Sequence, residues 1–226
     1  MNFAASIRRR LASSSGTDLL LGTLVSLVAV KYALMAADRI SSSELSLGWQ
    51  HLWALGEGDA WKPWKWFSYA FLHADLYHAL WNLLILHFVG HAWEDRRGHR
   101  SPWWLFLAGA AVGAVVFLTL NRADGTYHQL VGASAGTTAV LGALTVRQPR
   151  FQTKLAFWWV PLYAFAALML VVDLAFAVGY DLSAWAHLSG FALGAGGQVL
   201  GLWSVSFNGF KRARTSAHLV LVPGGR

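Results

Sequence analysis

The chain has 226 residues, of which 56% are hydrophobic and only 13% are charged, and it contains 13 tryptophans and no cysteine. A soluble domain needs more surface charge than this, so the composition indicates a polytopic membrane protein, and the lack of cysteine excludes a disulfide framework and a thiolate metal site. The formal net charge is +7, but most basic residues stand in tails and short loops beside apolar segments, which is how membrane orientation is encoded, so nucleic-acid binding is not expected.

Six apolar segments are candidates for membrane-spanning helices, because most of them approach the roughly 20 apolar residues that a span needs. In chain order they are residues 18–37, 76–93, 102–121, 133–147, 155–178 and 184–206. The predicted fold class is therefore an all-α polytopic membrane protein. A six-helix core over residues 18–206 is expected between a basic N-terminal tail, 1–17, and a basic C-terminal tail, 207–226.

A long segment, residues 38–75, separates the first two predicted spans. It is too polar to cross a bilayer but rich in tryptophan: Trp49, Trp53, Trp61, Trp64 and Trp66. Because tryptophan favours the membrane–water boundary, the segment is predicted to be a long interfacial loop.

Lysine and arginine are dense in alternate connections of a six-span arrangement. The dense connections are the two tails and the loops at 94–101 and 147–154, whereas the other connections are poorer in basic residues for their length. The positive-inside rule then places both termini in the cytoplasm.

The fourth segment is too short to span the membrane. A helix from Ser134 to Arg147 has 14 residues and a length of about 21 Å, against a hydrocarbon core of roughly 30 Å. Anchored at its cytoplasmic end by Arg147, it would begin partway down the membrane, where irregular backbone is tolerated only against protein or a water-filled cavity. Ser134, flanked by Gly132 and Gly136, would face such a cavity, which is unusual for a serine that only packs.

His187 stands early in the last segment. An ionisable side chain at membrane depth is a functional candidate, although a histidine that merely hydrogen-bonds within the bundle is the simpler reading. Gly190 and Gly194 follow it in a GxxxG pattern, which allows close approach to a second small-faced helix. The fourth segment offers small residues at a matching spacing: Ala135, Ala139 and Gly142. If these faces meet, His187 and Ser134 lie on adjacent helices in the outer half of the bilayer.

A serine and a histidine in that arrangement have a direct chemical meaning. A neutral imidazole takes the hydroxyl proton as the oxygen attacks a carbonyl, and the oxyanion that forms needs hydrogen-bond donors. His78 and Asn82 are four residues apart and so share a helical face. The backbone N–H of Ser134 at a helix N-terminus is a third candidate donor. The alternative for His78 and Asn82 is hydrogen bonding between helices.

Four stretches in this order resemble the motifs of rhomboid intramembrane serine proteases, over most of residues 61 to 200. They are "WKPWKWFSYAFLHADLYHALWNLL", "VGHAWEDRRG", "GASAGTTAVLG" and "AHLSGFALG". The resemblance implies that Ser134 is the nucleophile and His187 its base, in a dyad that requires no carboxylate. It also implies that His78, Asn82 and the Ser134 N–H form the oxyanion hole. Structural or supporting positions by the same resemblance are His73, Trp64, Lys65, Glu94, Arg96, Gly132, Gly136, Gly142, Gly190 and Gly194.

The resemblance implies hydrolysis of peptide bonds in or next to transmembrane segments of membrane-protein substrates. The expected partners are substrate transmembrane helices and the lipid bilayer, with no metal and no organic cofactor. Similarity to bacterial forms places the chain in the inner (plasma) membrane.

Two residues depart from the family pattern. Ala135 follows the serine where glycine is usual, and Thr138 stands where an aromatic residue commonly packs on the histidine. They motivate an alternative, a non-proteolytic rhomboid-like protein that binds client transmembrane helices. A transporter or proton path lined by histidines is a further alternative, disfavoured because no internal repeat is visible.

Two other groupings of polar residues remain open. Asp173 is interpreted either as the third member of a Ser-His-Asp triad or as a helix-end acid that reaches water or ties down the next loop. His87 and His91, with Glu94 one turn on, have a spacing that could hold a metal, but the wider H-E-x-x-H pattern is missing, and interfacial polar residues are the preferred interpretation.

Overall fold

The computed structural model describes residues 15–97, 101–124, 128–155, 158–179 and 181–204. The predicted basic tails, apart from residues 15–17, lie outside the described residues. In chain order the α-helices are α1 (Gly16–Ser41), α2 (Leu45–Trp53), α3 (Lys65–Ser68), α4 (Leu76–Arg97), α5 (Ser101–Asp124), α6 (Ser134–Arg147), α7 (Leu162–Val178) and α8 (Leu182–Val199).

An α-helix occupies most of each of the six predicted apolar segments. Two of these helices, α1 and α5, are long and apolar enough to cross a membrane, as judged by length and composition, and α7 is a shorter apolar helix. The mostly helical fold is therefore confirmed, and the number of spans stays a prediction.

The all-α expectation needs correction in two places. The fifth predicted segment, 155–178, begins as a strand: β3 (Gln152–Leu155) pairs antiparallel with β4 (Trp158–Pro161), and α7 starts only at Leu162. Aromatic and β-branched residues in this run suit a strand, and a short apolar run cannot be assigned to helix by periodicity. A second small pairing joins β1 (Leu55–Gly56) to β2 (Gln129–Leu130).

The centre of the fold is α6. Every residue from Ala135 to Leu144 except Thr138 is buried, as expected of a helix that is apolar and small-faced all round. Helices α8, α5 and α4 pack around it, and α6 with α8 is the most extensive helix pair in the described part of the chain. The two predicted site residues, Ser134 and His187, therefore stand on the most closely packed pair of helices.

Glu94 ties α4 to the start of α1. Its carboxylate accepts hydrogen bonds from Ser15 Oγ at 2.7 Å, Gly16 N at 3.0 Å and Thr17 N at 2.9 Å. An acid at a helix N-terminus satisfies otherwise unpaired N–H groups and opposes the helix dipole favourably. The side chain of Arg96, another of the predicted supporting residues, lies outside the described residues.

The predicted interfacial loop 38–75 begins with the last turn of α1 and contains two further α-helices, two short 3-10 helices and a buried ion pair. Lys65 is buried, and its Nζ donates to Asp59 Oδ2 at 2.8 Å and to the carbonyl oxygen of His51 at 2.7 Å. Trp61 and Trp64 are exposed by 91% and 48%, although Trp64 Nε1 donates to the carbonyl oxygen of Leu52 at 3.3 Å. Tryptophans that are exposed on a structured loop suit a position among lipid headgroups.

The outer face of α7 is strongly apolar. Its exposed large side chains are Tyr163, Leu168, Val171, Val172, Leu174, Phe176 and Val178. A water-soluble protein seldom exposes so continuous an apolar surface, so this face is suited to lipid.

Candidate active site

Ser134 is the first residue of α6, and the turn before it depends on Gly132. Gly132 has a φ of 125°, a backbone conformation that L side chains rarely adopt. Its N–H donates to the carbonyl oxygen of Tyr69 at 3.0 Å. This bond and the β1–β2 pairing attach the chain before Ser134 to the interfacial loop. The hydroxyl of Ser134 is thus carried at the N-terminus of a buried helix, where backbone N–H groups point outward.

His78 lies directly beside this turn. A Cβ placed on Gly132 would stand 2.6 Å from Cε1 and 2.8 Å from Nε2 of His78, and 3.5 Å from Ser134 Oγ. The imidazole of His78 and the Ser134 hydroxyl therefore border the same small space. Glycine at 132 is what leaves that space open.

Asn82 and His73 flank His78. Asn82 is buried, and its Nδ2 donates to the carbonyl oxygen of His78 one turn earlier at 3.0 Å, which leaves the second amide hydrogen for another acceptor. The rings of His73 and His78 meet edge to face with centroids 5.3 Å apart. Burial, followed by the charge of His78 and Lys31, lowers the pKa of His73 to about 4, so this loop histidine is neutral at physiological pH.

The register of α6 and α8 sets where His187 lies. A Cβ on Gly190 would overlap the carbonyl oxygen of Ala135, and one on Gly194 would overlap that of Ala139. The contact advances by four residues on α8, from Gly190 to Gly194, and by four residues on α6, from Ala135 to Ala139. The two helices therefore run side by side in the same direction. His187, one turn before Gly190, therefore lies at the end of α8 that is level with Ser134. Gly142 extends the contact, since a Cβ there would overlap the carbonyl oxygen of Phe191.

The side chain and the backbone of His187 are held by different helices. Nδ1 of its ring is 2.8 Å from Oδ1 of Asp173 on α7, and its carbonyl oxygen accepts a hydrogen bond from Thr138 Oγ1 at 2.9 Å. No hydrogen bond joins Ser134 Oγ to the His187 ring in the described part of the chain, so the dyad stays a prediction. Catalytic hydrogen bonds are often long before substrate binds.

The methyl group of Ala135 faces α5. A Cβ placed on Gly113 of α5 would stand 2.8 Å from Ala135 Cβ, so the absence of a side chain at Gly113 makes room for the alanine. Gly136 fills a similar role, because a Cβ there would stand 2.5 Å from Cδ2 of Phe106. The departure from the usual glycine after the serine is thus accommodated on the side of α5, without separating α6 from α8.

A cavity of about 170 Å³ with a mixed polar and apolar lining lies beside His73. Lys31 and His73 line it together with Trp49, Gln50 and Val131, and it is large enough for several water molecules. The ammonium of Lys31 donates to the carbonyl oxygens of His73 at 2.6 Å and Ala74 at 2.5 Å. Neither Ser134 nor His187 lines the cavity, which instead leads from α1 toward the turn before Ser134.

The remaining predicted supporting residues stand apart from Ser134. Trp64 and Lys65 bond within the interfacial loop, and Glu94 is about 24 Å along α4 from His78. In the His91 ring, Nδ1 lies 2.7 Å from the carbonyl oxygen of His87, and Nε2 lies 3.0 Å from Oδ1 of Asp18. Within the described ranges no group of three or more His, Cys, Asp or Glu side chains is arranged to hold a metal ion.

Two charged residues that hold the interfacial loop were given no role from the sequence. Lys31 fastens the loop that carries His73, and Asp59 neutralises the buried Lys65. The only sequence signal for either was a charge in an apolar or aromatic segment. Asp173 carried the same signal and was left open between two roles.

Comparison with known proteins agrees with the motifs. The family model described as Rhomboid domain matches residues 60–204, more than half of the chain. Rhomboid protease GlpG of Pectobacterium atrosepticum is 29% identical over 170 residues, which are 75% of this chain and 59% of that protein. RHOMBOID-like protein 1 of Arabidopsis thaliana is 29% identical over 136 residues, 58% of this chain and 32% of that protein. The chain thus spans less than two thirds of the length of these relatives.

Proposed function

The chain belongs to the rhomboid family and is an integral membrane protein, and we propose that it is an intramembrane serine endopeptidase. Its substrates are membrane proteins whose transmembrane helices unwind readily near their outer end. The observation that supports this most is the parallel contact of α6 and α8, with Ser134 and His187 at the same end and His78 beside the serine. A non-proteolytic client-binding protein would not need that convergence.

The chemistry assigns each group one task. Ser134 Oγ attacks the substrate carbonyl carbon while its proton passes to Nε2 of His187. His78, Asn82 and the Ser134 N–H stabilise the oxyanion that forms. The C–N bond then breaks, and the amine leaves with the proton from Nε2. Water hydrolyses the remaining ester by the same steps, with the proton moving again through His187.

The membrane arrangement is part of the proposal. Six spans cross a bacterial inner membrane and place both termini on its cytoplasmic side, an orientation that the distribution of basic residues favours. The interfacial loop 38–75 and Ser134 then lie toward the outer face. The cavity beside His73 offers water a route toward the half-buried Ser134.

Cleavage of a model transmembrane substrate in proteoliposomes tests the proposal. We expect Ser134→Ala and His187→Ala each to abolish cleavage, because the nucleophile and its base act as a unit. Ser189→Ala is the matched control, since in the described part of the chain Ser189 Oγ donates only to the carbonyl oxygen of Ala186 on the same helix, at 2.9 Å. If helix-destabilised substrates stay uncut and a fluorophosphonate does not label Ser134, the protease function is wrong.

A further inference from the structure

Asp173 is a carboxylate in an otherwise uncharged helix. It is the one charged residue between Leu162 and Val178, and its side chain is only 16% exposed. A carboxylate in apolar surroundings is costly unless it is paired. Its Oδ1 lies 2.8 Å from Nδ1 of His187, whose side chain is 22% exposed. The pairing is therefore with the residue to which the proposed function assigns the proton transfers.

This contact fixes which nitrogen of His187 carries the proton. An ionised carboxylate only accepts hydrogen bonds, so Nδ1 must donate. In the neutral imidazole that leaves Nε2 unprotonated, with its lone pair available to take a proton. When Nε2 does so, the adjacent carboxylate stabilises the imidazolium, as in soluble serine hydrolases.

Asp173 is also the side chain that holds the ring. Thr138 bonds the carbonyl oxygen of His187 and not its imidazole. Among the described residues no aromatic ring stacks on His187, and no second side chain hydrogen-bonds its ring nitrogens. The imidazole would otherwise be free to rotate about its own bonds, and misplacement by about 1 Å costs on the order of a hundredfold in rate.

We propose that Asp173 is a positioning residue that completes a Ser134-His187-Asp173 arrangement, with the acid supplied from α7. The inference rests on the proposed protease function and deepens it. Asp173 fixes the Nδ1–H tautomer of His187 and aims Nε2 at Ser134. A purely structural role, in which Asp173 only attaches α7 to α8, is the competing explanation.

Kinetics of Asp173→Asn separate the two roles. We expect kcat to fall between about tenfold and a thousandfold with KM changed less than about twofold, because the general base is disturbed and substrate binding is not. Asp173→Glu is expected to recover part of the loss. Asp181→Asn is the control: Asp181 caps α8 by accepting from Ser183 N at 2.9 Å, and asparagine caps equally well, so kcat should stay unchanged.

A spectroscopic measurement on the native chain avoids dependence on a folded variant. The ¹⁵N spectrum of His187 in micelles, assigned by its loss in His187→Ala, should show a protonated Nδ1 and an unprotonated Nε2 at neutral pH. An Nε2–H tautomer overturns the inference. If the native chain cleaves substrate and Asp173→Asn keeps the native kcat, the inference about Asp173 is also overturned, whereas the protease function stands. If the native chain cleaves nothing and Ser134 is not labelled, both proposals fall.

Discussion

Asp59 and Lys65 show how single charges stabilise the interfacial loop. Their side chains are 9% and 6% exposed, and Lys62 adds a second bond to Asp59 at 2.7 Å. Burial alone raises the pKa of Asp59, but hydrogen bonds from Lys62, Lys65 and the Gly56 N–H outweigh it, so the pKa lies below its usual value. The charged form is therefore favoured by folding.

We expect Asp59→Asn to lower the unfolding temperature in detergent at pH 7, because it leaves the buried Lys65 without its counter-charge, a change that costs about 3 kcal/mol. An acid whose folded pKa is lowered stabilises above its unfolded pKa, about 3.9, and the effect is lost as the pH falls through the folded pKa. The difference in unfolding temperature between the native chain and Asp59→Asn should therefore be constant above about pH 5 and shrink below about pH 4.

The exposed neighbour Glu57 provides the control for this pH series. Glu57→Gln should not change the unfolding temperature by more than about 1 °C at any pH, as is usual for surface substitutions. A difference between native and Asp59→Asn that persists undiminished at low pH would contradict the account, because the native carboxylate is then protonated.

At the residue scale, the motifs identify candidate residues but not the contacts that these residues make. Ser134, His187 and His78 were identified because their motifs fix residue type and spacing. The partners Asp59–Lys65 and Asp173–His187 could not be assigned, because each distance depends on how separate elements pack. A charge in an apolar segment indicated that some partner exists, not which one.

At the element scale, the fold depends on how closely α6 and α8 approach. We expect Gly194→Ala to lower the unfolding temperature strongly and to reduce cleavage, because the added Cβ overlaps the carbonyl oxygen of Ala139 and forces the helices apart. Gly196, on the same helix, has no atom within 4 Å of its added Cβ. Gly196→Ala should therefore be neutral or stabilise by up to about 1 kcal/mol, as alanine favours helix.

Thermal unfolding and proteoliposome cleavage of these two variants measure the effect side by side. Equal unfolding temperatures for Gly194→Ala and Gly196→Ala would show that the contact does not limit stability.

The sequence predicted this packing from spacing alone. It missed the β3–β4 hairpin, since the run before Leu162 is apolar enough to continue a helix and only its partner strand stabilises it as a strand.

At the scale of the whole molecule, the β1–β2 pairing constrains the topology. Leu55 pairs with Leu130 and Gly56 with Gln129, so the interfacial loop and the turn before Ser134 lie at one end of α6. Arg147 ends α6 about 21 Å away, followed by the basic connection toward β3. If basic connections face the cytoplasm, the loop 38–75 faces outward, and the two ends of α6 lie toward opposite faces.

The absence of cysteine in the chain makes this orientation directly testable. Glu57 and Arg150 are both exposed, the first in the interfacial loop and the second just after α6. In spheroplasts of a bacterial host, we expect a membrane-impermeant maleimide to label Glu57→Cys in intact preparations and Arg150→Cys only after permeabilisation. Each variant should cleave substrate as the native chain does, which shows that it is folded. Labelling in the reverse order would invert the topology and place Ser134 toward the cytoplasm, and labelling of both in intact spheroplasts would exclude a bilayer between the two ends of α6.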